Sequence, residues 1–398
     1  MLRSLMVLAL LVPAIEAQEW NPFLDYKAEL ATLDAPPWMK EGTRLYWECA
    51  GSAYTQANAP RDTPHTSGSG FLTADVVSLV GRQAAIATRV QISTTGNMGQ
   101  PLLAAPSVEA GYVTAAATGG PFWVHPTILA KAFKNWPVAK LDKDGAFTSW
   151  GATRGTYDWN GRKVTALHWT LGGGPKYVQY ERFAYEEETG LLLYYSNAPM
   201  KNLESGRQVV ALTRFAGRRD RQLPWAMGRP PAWLTRIGSY TFSGAWTVEI
   251  AGVPPMPMRF SSTVLLDSVG ANYVTLKAAP EPGTPGGAEG GAVRVAGPTQ
   301  TGGLWLPPLE IRKLRAGMVV DRDDLLGATV QIGYVGPSNY GRNIVSIAED
   351  AAGYTLIFDY EIETGILLAA AVKDKILSKT TEAYFTGKQG LRKAPGGG

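Results

Sequence analysis

An internal repeat constrains the fold of this chain more than any other feature of its sequence. The segment YEEETGLLLYY at residues 185–195 returns as YEIETGILLAA at residues 360–370. In both copies a Glu-Thr-Gly turn lies between residues that favour strands, and its glycine, Gly190 or Gly365, can supply the positive φ of a tight turn. We therefore expect the same β-hairpin in both halves of the chain.

Further pairs of similar segments occur in the same order along the two halves. PPWMKEGTRLYWECAG at residue 36 corresponds to PPAWLTRIGSYTFSG at residue 230, and FLTADVVSLVGRQAAIATRV at residue 71 corresponds to FSSTVLLDSVGANYVTLKA at residue 260. A third pair of segments aligns Trp123 with Trp305. Several anchors in one order indicate a tandem duplication, in which the shared residues serve the fold.

The duplication defines the predicted domains. The stretch between the copies is rich in Arg, Pro and Gly, which is typical of a linker. Its arginines, Arg218, Arg219 and Arg221, are expected to form a solvated charge run rather than a contact with an acidic surface. The predicted order is a signal peptide (1–17), an N-terminal lead-in (18–35), a first β domain (36–215), a linker (216–229), a second β domain (230–387) and a disordered tail (388–398).

The start of the chain predicts export. A basic residue, Arg3, precedes an apolar run from Leu5 to Ile15, and a small residue, Ala17, follows it, as in secretory signal peptides. The run is shorter than the roughly 20 residues that a helix needs to cross a bilayer. We expect a secreted or periplasmic protein with no integral membrane segment in the mature chain.

Length and composition favour two domains made of strands. The 398 residues exceed what one hydrophobic core usually serves, and 45 glycines with 27 prolines suit many short strands joined by turns. The segments HPTILAKAF and PPLEIRKL each place a proline at the first position of a short helix. The predicted fold class is mainly β with minor α: two tandem homologous domains, each a curved antiparallel sheet or open barrel with one short helix.

A second hairpin is predicted in the first copy alone. The Asn-Gly pair at residues 160–161 is the preferred sequence for a two-residue type I′ turn. Counting outward from this turn pairs Tyr157 with Val164 and brings Trp159 and His168 onto the same face. That face is mostly apolar, so we expect it to point inward.

Signatures of catalysis are missing from the sequence. The three histidines, His65, His125 and His168, are too far apart for a metal-binding motif. The chain has neither a Gly-x-Ser-x-Gly elbow nor a phosphate-binding loop. Cys49, the single cysteine, is expected to be a small buried apolar residue, and the net charge of +4 is too small for a nucleic-acid surface. The sequence therefore predicts no enzymatic activity, no cofactor and no nucleic-acid partner.

Two Asp-x-Asp pairs are weak candidates for a metal site. Asp142 and Asp144 of the first copy align with Asp321 and Asp323 of the second, and alternate carboxylates can ligate Ca²⁺. The later ligands of an EF-hand loop are missing, so a polar connection between helix and strand is the favoured interpretation.

The candidates for a ligand site come from the first copy. They are His125, Tyr157, Trp159, His168 and Trp169, and four of these, all but Tyr157, distinguish the first copy from the second. Aromatic side chains and a histidine on one face could line a concave pocket for a small apolar or glycan-like ligand. The competing interpretation is that these side chains fill the core of the first domain.

The repeated hairpin also resembles a known kind of protein. The pattern Tyr-x-x-x-Thr-Gly-x-Leu-Leu at residues 185–193 and 360–368 is similar to hairpins of exported antiparallel half-barrel proteins, including the periplasmic lipoprotein-carrier family. That family cups acyl chains with a curved sheet, so the resemblance implies an apolar groove between sheet and short helix, without catalysis. This chain departs from the family in being duplicated, and the pattern transfers no functional residue.

Three functions remain open at this point. The favoured one is an exported, non-catalytic binding protein for an apolar or glycan-like ligand. The second is a structural or interaction protein of the cell envelope, with a protein partner there. The third is a hydrolase, which needs two carboxyl groups facing each other across a cleft at roughly 5–10 Å.

Overall fold

A computed structural model shows how the chain folds over most of its length. The described residues are 23–55, 66–95, 101–103, 107–135, 140–141, 147–172, 178–201, 207–248, 254, 257–278, 294–339, 341–375 and 379–391. The predicted signal peptide, His65, Asp142 and Asp144 lie outside these residues.

The first sheet is antiparallel and contains eleven strands. They are β1 (Thr43–Thr55), β2 (Thr66–Val80), β3 (Gln83–Thr95), β4 (Pro101–Leu103), β5 (Ser107–Ala115), β6 (Lys140–Leu141), β7 (Phe147–Trp159), β8 (Arg162–Gly172), β9 (Val178–Glu186), β10 (Leu192–Lys201) and β11 (Arg207–Asp220). The strands lie in the order β4-β3-β2-β1-β11-β10-β9-β8-β7-β6, and β5 also pairs with β3. The sheet is open, because this order has two ends.

The second sheet is also antiparallel and contains ten strands. They are β12 (Ile237–Val248), β13 (Met258–Val269), β14 (Val274–Ala278), β15 (Arg294–Ala296), β16 (Val319–Asp323), β17 (Ala328–Pro337), β18 (Asn343–Asp350), β19 (Tyr354–Glu361), β20 (Leu367–Asp374) and β21 (Lys379–Leu391). Their order is β15-β14-β13-β12-β21-β20-β19-β18-β17-β16. The predicted fold class is confirmed: both halves are open antiparallel sheets. β21 continues to Leu391, so the first residues of the predicted tail are strand rather than disordered.

Helices are few and short in the described part of the chain. They are α1 (Lys27–Leu30), α2 (Pro126–Lys134) and α3 (Pro308–Ile311), with 3₁₀ turns at Leu24–Tyr26 and Ala232–Thr235. α2 and α3 are the two predicted helices, and each begins with its proline, whose fixed φ suits the first helical position. None of the described helices is long and apolar enough to span a membrane.

The two Glu-Thr-Gly hairpins have matching backbone geometry. Gly190 has a φ of +76° and Gly365 a φ of +72°. A Cβ atom on Gly190 would lie 1.9 Å from the carbonyl oxygen of Val124, and one on Gly365 would lie 1.9 Å from that of Leu306. Both positions therefore require glycine, for its positive φ and for the close approach of a neighbouring chain segment.

A tryptophan holds each of these turns from outside. The Trp38 indole N–H donates to the carbonyl oxygen of Thr189 at 2.8 Å. The Trp233 indole N–H donates to that of Thr364, also at 2.8 Å. The same tertiary contact thus recurs in the two halves.

The three largest clusters of buried side chains form most of the core of the described residues. One lies around Trp47 and Trp123 in the first sheet, and a second lies around Trp169, where α2 covers the sheet. The third belongs to the second sheet and surrounds Tyr240 and Trp305. Phe23 and Leu30 of the lead-in belong to the second cluster, a contact that the sequence did not predict.

The predicted linker, residues 216–229, is largely structured. β11 continues through it to Asp220, and Trp225 is fully buried in the core of the second sheet. The prediction of a solvated charge run is wrong for Arg221, which is only 5% exposed. Its guanidinium is paired with Asp321 of the second sheet, and this partner partly offsets the loss of water.

Candidate functional site

The predicted β7–β8 hairpin places three of the five candidate residues on one face. Tyr157 pairs with Val164 and Thr153 with His168, as the sequence predicts. Val164 is buried, while Tyr157 and Trp159 are partly buried against the core of the first sheet. The interpretation of this face as inward-pointing is confirmed.

Burial shifts the pKa values of two side chains on this face. Loss of water raises the pKa of Tyr157 and lowers the pKa of His168. The two side chains are therefore neutral near pH 7. Trp159 packs with Phe215 at 5.1 Å between ring centroids, and its buried indole N–H has no hydrogen-bond partner among the described residues. The face is apolar with one unused donor.

Trp169 does not join this face. Adjacent residues of a strand point to opposite sides of a sheet, so Trp169 lies on the side opposite His168. Its side chain is fully buried in an aromatic cluster with Phe23, Phe183 and Tyr185. A single pocket lined by all five candidates is therefore incompatible with the geometry, and Trp169 fills the core.

His125 has a local structural contact. It is the N-cap of α2, and its Nδ1 accepts a hydrogen bond from the backbone N–H of Thr127 at 3.3 Å. Partial burial lowers the pKa of His125, against an opposing effect of Asp34. The neutral ring that this cap needs is thus the favoured form.

The candidate metal ligands that the structure describes are occupied by cationic and phenolic donors. Asp321 accepts from Arg219 and from Arg221, the latter at 3.1 Å. Asp323 accepts from Arg44 at 3.2 Å and from the Tyr46 hydroxyl at 2.8 Å. No group of three or more His, Cys, Asp or Glu side chains within the described ranges could hold a metal ion.

Cys49 is buried, with 6% of its surface exposed, as predicted. Burial raises the pKa of its thiol to about 11, so the reactive thiolate is scarce near neutral pH. A cavity of about 340 Å³ borders Cys49 and is flanked by the exposed side chains of Glu48 and Arg214. Its polar rim and inert thiol give it no evident chemistry.

A larger cavity lies where sequence reasoning identified no site, and we call it the lead-in cavity. It measures about 460 Å³ and lies between the lead-in and the strands β3 and β5. Most of its lining residues are apolar or small: Phe23, Leu30, Ala31, Val113, Ala115 and Gly120, with Gln83, Thr114, Thr118 and Lys27 as the polar ones. Lys27 is the one charged residue in this lining.

The lead-in forms one wall of the lead-in cavity because two apolar side chains of the lead-in anchor this segment in the core. Phe23 and Leu30 are both 3% exposed and belong to the core cluster around Trp169. On the outside, Glu29 of α1 accepts from Lys131 of α2 at 2.5 Å. Leu30 follows Phe23 by seven residues, a spacing that suits one helical face, but a single such pair is too weak a signal to predict docking.

The groove implied by the resemblance to lipoprotein carriers differs from the one observed. That groove would lie between the sheet and α2, but Ile128 and Leu129 of α2 are fully buried against the sheet. The open space lies instead beneath α1. The lead-in, rather than α2, forms the wall that covers the lead-in cavity.

Comparison with known proteins identifies no family. No family model matches the chain, and no curated protein matches it. Among solved structures, MucB in complex with MucA(peri) is similar with 10% identity and a TM-score of 0.22 over 93% of both chains, and the MucA/MucB complex of Pseudomonas aeruginosa gives the same values. A protein of unknown function from the DUF3598 family of Nostoc punctiforme has 9% identity and a TM-score of 0.13 over 86% of this chain and 95% of its own. Similarities this low carry no argument about ligand or partner.

Proposed function

We propose that this chain is an exported, non-catalytic binding protein, made of two related β domains, that holds a small apolar ligand in the lead-in cavity. The observation that carries the proposal is the size and lining of that cavity. Its volume of about 460 Å³ falls in the range of small-molecule sites, which are concave and mostly apolar with a few polar groups.

An apolar ligand is favoured over a glycan. Glycan binding needs aromatic rings that stay accessible to stack on a sugar. Trp169 is instead fully buried, and Trp159 packs against Phe215. The lining of the lead-in cavity includes the exposed side chains of Ala31 and Val113, which offer apolar surface rather than a row of hydrogen-bond donors.

The lead-in cavity is lined by the segment that precedes β1, and the segment that precedes β12 in the second half packs differently. In the second half the residues before β12 insert Trp225 into the core. In the first half the lead-in inserts Phe23 and Leu30 into the core and lines the lead-in cavity.

Two matched variants test the proposal with N-phenyl-1-naphthylamine, a neutral apolar fluorophore. Val113→Trp places a large ring in the lead-in cavity, whose wall includes Val113. Val80→Trp is the control, because Val80 is also an exposed strand valine but does not line the cavity. We expect Val113→Trp to weaken probe binding at least about tenfold, by filling the space that the probe occupies.

Equal binding by both variants, or no binding by the parent protein, would contradict the proposal. Native mass spectrometry of protein purified from its own host adds an independent test, since a bound molecule should survive gentle transfer and disappear after denaturation. A role as a structural or interaction protein of the cell envelope would then become the leading alternative.

A further inference from the structure

Charged side chains from both halves meet in one buried group, which we call the seam. The arginines all come from the first half and most of the carboxylates come from the second. Its members are Arg44, Asp75, Arg89, Arg219 and Arg221 from the first half and Asp321, Asp323 and Glu349 from the second. The charges balance, with four cations and four anions.

Arg44 joins three strands at the centre of the seam. Its Nε and Nη2 donate to the two oxygens of Asp75 at 2.6 and 2.7 Å, which is a bidentate pair within the first sheet. Its Nη1 donates across to Asp323 at 3.2 Å. Tyr46 adds a second bond from the first sheet to the same carboxylate. One guanidinium thus fixes both sheets at once.

A second bidentate pair lies further along the contact. Arg89 donates to the two oxygens of Glu349 at 2.9 and 3.2 Å. The same carboxylate also accepts from Thr301 at 2.8 Å and from Tyr354 at 3.1 Å. Arg89 is 8% and Glu349 2% exposed, so water does not replace these bonds.

The backbones of the two sheets come into direct contact beside the seam. A Cβ atom on Gly111 of β5 would lie 2.2 Å from the backbone nitrogen of Val295 in β15. The hydroxyl of Thr299 donates to the carbonyl oxygen of Val77 at 3.1 Å. Val77 and Val295 share a small apolar cluster. The seam is therefore part of a close interface rather than a water-filled gap.

Ion pairs buried in this way are poor sources of net stability. Removing the charges from water costs about as much as their attraction returns, and well-packed apolar side chains often do equally well. Bidentate arginine–carboxylate pairs are directional, whereas apolar contacts are not. Both hydrogen bonds of such a pair form only when the guanidinium and the carboxylate lie in one relative geometry. We propose that the seam locks the two sheets into a single relative orientation, so that the halves move as one body.

The test measures orientation and stability separately. Spin labels are attached at Lys163→Cys in the first half and Glu363→Cys in the second, both exposed positions, with Cys49→Ala removing the native thiol. Pulsed electron resonance then gives the distribution of distances between the labels. For the parent protein we expect one narrow distribution.

Two changes to the seam should widen that distribution. Arg89→Lys keeps the positive charge but loses the guanidinium that makes two hydrogen bonds to Glu349. The double variant Arg89→Met with Glu349→Leu replaces the ion pair by apolar side chains of similar size. We expect both to fold, with a melting temperature within about 10 °C of the parent, and to at least double the width. The matched control is Lys277→Met with Asp267→Leu, which removes an exposed pair of 2.9 Å inside the second sheet and should leave the width unchanged.

Several results would overturn the proposal. These are a broad distribution in the parent, an unchanged width in both seam variants, or an equal broadening in the exposed-pair control. If the apolar double variant fails to fold, Arg89→Lys alone decides, because it retains the buried charge balance.

Discussion

At the scale of single residues, two glycines of the first half occupy hairpin turns for different physical reasons. Gly190 combines a positive φ with a neighbouring carbonyl oxygen at 1.9 Å from any added Cβ. Gly161, in the Asn-Gly turn, has a similar φ of +79° but open space around it. Comparing the two separates two reasons why a position needs glycine: a positive φ and a lack of space for a Cβ atom.

We predict that Gly190→Ala lowers the free energy of unfolding by about 3 kcal/mol or more, since strain and a backbone clash add together. Gly161→Ala should cost only about 1 kcal/mol, from conformation alone. Urea titrations followed by tryptophan fluorescence measure both. Similar losses for the two variants would show that the Val124 carbonyl moves away without cost.

At the scale of elements, α2 depends on an unusual cap. Histidine is not among the preferred N-cap residues, yet the Nδ1 of His125 accepts from the Thr127 N–H. Protonation would remove that acceptor. The lowered pKa of His125 means that folding favours the neutral ring, so this contribution is present above the unfolded pKa and is lost as pH falls through the folded one.

We predict that His125→Ala destabilises the protein by about 1 kcal/mol, whereas His125→Asn, a strong N-cap, restores most of the loss. The comparison is made by chemical denaturation at pH 7.5. At pH 5 the difference between the parent protein and His125→Ala should shrink. A difference that does not depend on pH would assign the effect to packing instead of the cap.

The elements that the sequence predicts well are those with local causes. The Asn-Gly turn sets the register of β7 and β8, and Pro126 and Pro308 mark the starts of two helices. The lead-in cavity lacks such a cause, because it exists only when Phe23 docks on Trp169, far along the chain. The grouping of Trp169 with His168 ignored the alternation of side chains along one strand.

At the scale of the whole molecule, the seam is the feature that sequence patterns could not have predicted. Arg44 and Asp323 are 279 residues apart, and each looks like an ordinary surface charge in its own segment. Only the packing of two sheets turns them into a buried pair. The Asp-x-Asp motif that suggested a metal site is, in the second half, the acceptor side of this interface.

The seam predicts how stability depends on pH. Burial alone would raise the pKa of Asp75, but Arg44 and also Arg221 and Arg89 outweigh it and hold that pKa below its usual range. Glu349 behaves in the same way, with Arg89 as its nearest cation. Lowered carboxyl pKa values give stability that is present above the unfolded pKa of about 4 and is lost as pH falls through the folded values.

We therefore expect the free energy of unfolding to be nearly constant from about pH 7 to pH 8, to decline slightly towards pH 5 as His125 and His168 take up protons, and to fall steeply below about pH 4. Urea titrations across this range measure it, with the Arg89→Met and Glu349→Leu double variant as the comparison. That variant should lose less stability in acid, because one buried carboxylate is gone. Identical acid profiles would place the sensitive carboxylates elsewhere.

In each half the first strand pairs with the last strand, and this pairing determines where the chain can be circularly permuted. β1 lies beside β11 and β12 lies beside β21, so each half begins and ends at neighbouring positions. A circular permutant of either half could close the old ends with a short loop and keep all its strand pairs. For the same reason, a further half joined at these ends would interrupt no strand pair of either sheet.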